Sequence, residues 1–130
     1  MPYDANAIRP NGIKRKLYMS PAMATETAGD YIAAYFPHGC NLIAIWYLPT
    51  VATGTAPSII DIGVAADGET IIKDYSLSHT ASVAGTAVDV GSGNLLLTQL
   101  PVATTVWVQS DGASTGGTGH FIFEYEDNNN

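Results

Sequence analysis

The chain has 130 residues, a formal charge of −7 and a single cysteine, Cys40. That length fits one domain, and a hydrophobic share of 46% against 13% charged residues supplies a core that needs no intrachain disulfide. Four of the five basic residues, Arg9, Lys14, Arg15 and Lys16, fall in the first sixteen positions; eleven of the twelve acids follow them, so the body would repel nucleic acid phosphates.

The N-terminus, MPYDANAIRPNGIKRK, has no apolar signal-peptide core and predicts an irregular arm over residues 1–12. Residues 13–19 (IKRKLYM) read as a first strand, ended by Ser20-Pro21. Its basic run suits a solvated strand edge. It equally suits the end of an arm that docks on an acidic surface, with Arg9, Lys14, Arg15 and Lys16 as the contact set. Residues 30–36 (DYIAAYF) and 42–48 (LIAIWYL) read as strands closed by Pro37 and Pro49. The second of these is apolar almost throughout, which predicts burial on both faces, or one face on the core and the other on a subunit. It is also far too short to cross a bilayer.

A small-residue loop, TVATGTAP, leads to a strand over residues 58–64. Residues 70–77 (TIIKDYSL) fit a strand or a short helical turn, 81–90 hold one weak strand, and 95–100 (LLLTQL) form a strand stopped by Pro101. The clearest alternation lies in 104–110 (TTVWVQS) and 120–126 (HFIFEYE). Val106 and Val108 share one face of the first, with Trp107 on the other; Phe121, Phe123 and Tyr125 share one face of the second. The two are expected to pair as a hairpin across DGASTGGTG, with valines and aromatics on the core and Trp107 outside. The polar end, 128–130, is expected to fray.

Short strands without a helix signal predict an all-β chain: an antiparallel β-sandwich, jelly-roll-like, over residues 13–127, with an extended N-terminal arm.

Signals for catalysis are weak. No G-x-S-x-G elbow or phosphate loop is present, Cys40 in PHGCN reads as a buried thiol, and His38, His79 and His120 lack zinc-ligand spacing. The stretch IIDIGVAADGETI carries Asp61, Asp67 and Glu69 among glycines, but it does not match a calcium loop, and Asp67-Gly68 is a common turn pair. The expectation is therefore no enzyme, no metal and no cofactor.

Three segments carry a family resemblance: 42–48 with its following loop TVATGTAP, SIIDIGVAADGETI, and the closing TTVWVQSDGASTGGTGHFIFEYE. In order and composition they resemble the small β-sandwich decoration (cement) proteins of tailed-bacteriophage capsids. The resemblance implies a virion structural protein on the capsid exterior, assembled in the host cytoplasm. It implies a homotrimer whose partner is the major capsid protein, with an arm along the shell or a neighbour; the acidic body and the short apolar runs add the expectation of neither nucleic acid nor membrane as a ligand. Trp46, Tyr47 and Trp107 are the candidates for subunit interfaces. The alternative is a receptor- or glycan-binding module of a tail or fibre, with Trp107 stacking on a sugar.

Overall fold

A computed structural model describes residues 15–52, 54, 56–77, 84–91 and 93–127. The described strands are β1 (Arg15–Met19), β2 (Met23–Ala24), β3 (Gly29–Phe36), β4 (Cys40–Val51), β5 (Ser58–Gly63), β6 (Ile72–Leu77), β7 (Val88–Asp89), β8 (Gln99–Leu100), β9 (Thr104–Ser110) and β10 (Thr118–Asp127). They form two packed antiparallel sheets, a β-sandwich. Sheet A runs β1-β10-β4-β7, with β2 on β10 and β8 on β4; sheet B runs β3-β9-β5-β6.

The alternation read from the sequence decides the core. From sheet B, Val106, Val108, Ile60 and Ile62 point inward; from sheet A, Phe121, Phe123, Ile45 and Leu42 do, and all are buried. Phe36, at the end of β3, crosses between the sheets. Its ring meets Tyr125 at 4.9 Å, Tyr18 at 5.7 Å and Phe123 at 6.4 Å, two of them edge-on, which the aromatic quadrupole favours.

The expected hairpin of 104–110 with 120–126 does not form. β9 pairs with β3 and β5, whereas β10 pairs with β1, β2 and β4. The connecting loop carries the chain from one sheet to the other, so the valines and phenylalanines face each other across the core. Alternation gives each strand an inner face, and a sandwich offers two sheets in which that face can be buried.

Pro49 does not close its strand either; β4 continues to Val51. A register shift occurs there, with Gly119 opposite Pro49 and Thr118 opposite Val51. Thr50 is the extra residue, and its Oγ1 donates to the Thr118 carbonyl at 3.0 Å. A bulge tolerates the missing proline donor. Gly119 sits where a Cβ would lie 2.6 Å from the Leu48 carbonyl oxygen and 2.7 Å from the Tyr47 ring. Residues 70–77 resolve as a strand from Ile72, and of 95–100 only Gln99–Leu100 pairs.

One end of the sandwich is tied by buried hydroxyls. The Thr25 carbonyl accepts from Ser58 Oγ at 2.8 Å and Ser110 Oγ at 2.7 Å, and Ser58 Oγ lies 2.8 Å from Ser114 Oγ. Thr25 follows a strand of sheet A, while Ser58 and Ser110 belong to sheet B. The cluster therefore joins the sheets through satisfied polar groups.

Candidate interaction surface

Arg9 and Lys14 lie outside the described residues. Arg15 and Lys16 stand on β1, at the edge of sheet A, beside the acidic end of β10. Lys16 Nζ donates to Asp127 Oδ2 at 3.1 Å. Arg15 approaches Glu124 at 3.6 Å and Glu126 at 4.0 Å, with its side chain 61% exposed. Such exposed pairs contribute little to stability, and the guanidinium keeps donors turned to solvent.

The three aromatic interface candidates occupy three different places. Trp46, opposite Ile122, is half-buried on the outer face of sheet A. Trp107, opposite Ile32 and Gly63, is half-buried on the outer face of sheet B. No single flat contact can use both tryptophans of one copy. Tyr47 is fully buried in the core, its ring 5.0 Å from Phe121, and presents no side-chain surface to another chain. The bulge at Thr50 and the bare backbone of Gly119 make room for it. Its hydroxyl has no hydrogen-bond partner. Burial pushes its pKa up, and the Thr25 hydroxyl offsets only part of that.

Large apolar side chains are exposed on β1 (Leu17, Met19), on β3 (Ile32, Tyr35), at the end of β4 (Val51) and at Val64, Leu96 and Val102. The strand facing that packs half-buried Tyr18 and buried Phe36 on the core turns those of β1 and β3 outward. Beside Trp107, a groove of about 590 Å³ is lined by Val64, Leu97, Gln99, Pro101, Val102 and Thr105.

The stretch that carries Asp61 and Glu69 resolves into strand, turn and bulge. Val64 leaves β5, the Gly68 N–H donates to the Ala65 carbonyl at 2.9 Å, and the chain re-enters sheet B at Ile72. Asp67 stays in the exposed turn. Asp74, at a positive φ of 53°, instead joins Asp61 and Glu69, all within 4.8 Å of one another. It is the group of three such ligand-type side chains that the described residues bring together. The register between β5 and β6 slips here, and the Asp61 carboxylate accepts the Asp74 N–H at 2.6 Å. Partial burial raises the Asp61 pKa, with Asp74 and Glu69 adding repulsion. Lys73 reaches Glu69 at 3.5 Å. The bulge accounts for this gathering, which the sequence concealed because Asp74 lies thirteen positions from Asp61.

Neither Cys40 nor a described histidine joins that group. Cys40 is buried and its thiol is pushed up to about 12, by burial first and then by Asp127. A thiol held neutral at that level is a poor nucleophile. His120 Nδ1 sits 2.8 Å from the Ser20 carbonyl, His38 is exposed in the turn after β3, and His79 lies outside the described residues.

No protein-family model matches the chain, and no curated protein matches it in sequence. A chain of the cyanophage Pam1 capsid asymmetric unit is similar in structure, with a TM-score of 0.59 and 14% identity, over 88% of this chain and 85% of that one. At that identity the likeness is one of fold: the two chains share a β-sandwich over nearly their whole lengths.

Proposed function

We propose that this chain is a virion structural protein of a tailed phage. It binds the outer capsid surface as an oligomer and stabilises the shell, with the major capsid protein as its partner and without catalysis or cofactor. The observation that carries this reading is the end-to-end likeness of fold to a chain of a phage capsid asymmetric unit. The winding supports it as well. With β2 and β8 set aside, the strands distribute as β1-β10-β4-β7 and β3-β9-β5-β6, which favours a jelly roll, a fold used by capsid domains. Exposed apolar side chains on both outer faces supply contact area, and small gains per copy multiply over the many sites of a shell.

Imaging particles assembled with and without this chain tests the proposal. Added density on the outer shell, lost when the gene is deleted and regained on adding purified protein, is the expected result. Density confined to a tail or fibre would sink it.

The groove beside Trp107 favours one second reading, a glycan-binding module of a tail or fibre, because Gln99 and Thr105 there could bond hydroxyls while the indole stacks. Under that reading Trp107→Ala loses sugar binding on an array and keeps its oligomeric state. An unchanged array profile excludes it.

A further inference from the structure

Sheet edges present unpaired backbone N–H and C=O groups, and natural proteins blunt them with charge, bulges or short strands. Two of the edges here are blunted. β6 carries Lys73, Asp74 and a bulge at positive φ, and β7 is two residues long. The other two edges among the described residues, β1 of sheet A and β3 of sheet B, carry charge only at their first residues, Arg15 and Lys16 on β1 and Asp30 on β3, and turn large apolar side chains outward along the rest. They lie on one side of the sandwich, joined through Tyr18 and Phe36 with ring centroids 5.7 Å apart. Their outward side chains leave Leu17 69%, Met19 52%, Ile32 55% and Tyr35 47% exposed.

The outward rows of the two edges also match in pattern. β1 turns Arg15, Leu17 and Met19 to the outer face of sheet A, opposite Glu126, Glu124 and Ile122. β3 turns Asp30, Ile32 and Tyr35 to the outer face of sheet B, opposite Gln109, Trp107 and Thr105. The register shift between Ile32 and Ala34 absorbs one residue and keeps Tyr35 on that face. One row reads base, apolar, apolar; the other reads acid, apolar, aromatic. Asp30 is exposed and has no ion-pair partner among the described residues, and Arg15 makes only its two long contacts.

We propose that the β1 edge of one copy adds to the β3 edge of a second copy, with Arg15 beside Asp30, Leu17 beside Ile32 and Met19 beside Tyr35. Strand addition supplies backbone hydrogen bonds, and the outward rows select the partner edge. Pairing either edge with its own kind brings no opposite charges together; unlike edges do, so charge complementarity names a second copy as the occupant. Unlike edges make a contact that a ring of copies closes, or a twofold in which both pairs form at once. The inference rests on the oligomeric reading above and assigns its surface.

Light scattering on the full chain at micromolar concentration tests it. The expected result is a closed oligomer that Arg15→Asp and Asp30→Arg each weaken by about tenfold or more, and that the Arg15→Asp/Asp30→Arg double variant restores. Thermal melts establish that each variant is folded. If a charge reversal unfolds the chain, Arg15→Gln, Asp30→Asn and Ile32→Glu replace it, each expected to weaken association. A monomeric wild type, or an oligomer indifferent to these substitutions, overturns the inference. A monomer that still decorates shells overturns it while leaving the virion role standing. An oligomer that follows the charge swap yet decorates nothing supports it while the virion role fails.

Discussion

At the scale of single residues, the described core keeps a cluster of hydroxyls well satisfied and leaves the Tyr47 hydroxyl unsatisfied. Ser58 Oγ lies 2.8 Å from the Thr25 carbonyl and accepts the Ser114 N–H at 3.0 Å. Ser58→Ala leaves the buried Ser114 N–H without this acceptor, while the Thr25 carbonyl keeps its bond from Ser110 Oγ, and should cost about 1–3 kcal/mol in urea unfolding. Tyr47→Phe removes a hydroxyl that has no partner. It should be neutral or stabilising, within about 1 kcal/mol, and a clear loss would reveal a hydrogen bond through water. Cys40 makes stability depend on pH. Its folded thiol holds its proton up to about 12 against an ordinary value of 9.0. The folded state therefore binds more protons than the unfolded chain between those values. Stability should be undiminished below pH 9 and should fall as pH rises towards 12. Tyr47 and Tyr75, also raised by burial, act in the same direction. Unfolding midpoints measured across this range should fall less steeply for Cys40→Ala, and equal slopes would count against the assignment. The burial of Cys40 and the facing of Trp107 could be read from the sequence, because each follows from local pattern. The burial of Tyr47 could not, because the bulge at Thr50 and the bare Gly119 that admit its ring come from two separate strands.

At the scale of elements, strand existence was legible and strand partnership was not. Residues 104–110 form β9 with the bounds that alternation predicts. Yet β9 and β10, adjacent in sequence, belong to different sheets. Turn residues such as Gly112, Gly116 and Gly117, all at positive φ, serve a crossing between sheets as well as a hairpin. Proline likewise read as a strand end at Pro49, whereas the bulge let β4 pass through it. The junction of β4 and β10 is tight at Gly119, where a methyl group would press on backbone and ring together. Gly119→Ala should destabilise the fold by about 1–3 kcal/mol through overpacking, and a melting temperature equal to wild type would show that β4 can shift to admit it.

At the scale of the whole molecule, the strand order puts the edges β1 and β3 on one side and the acidic strand β10 beside the bases of β1. Arg15 and Lys16 thereby belong to the sandwich, not to the segment before it. Deleting residues 1–14 keeps β1 whole. It should leave the thermal transition within about 3 °C of the full chain, since β1 and its pairing persist, while lowering occupancy on shells if the arm contributes to docking. Full occupancy by the shortened chain would confine docking to the sandwich. By itself the sequence determined an all-β chain, the facing of its clearest strands and the placing of charge, because composition and two-residue alternation act locally on each segment. Only the tertiary structure decided which strands are neighbours, that Tyr47 is core, that Asp74 rather than Asp67 joins Asp61 and Glu69, and which of the described strands lie at the sheet edges. Those depend on backbone pairing between distant segments, and side-chain alternation fixes the face of a strand without fixing its partner.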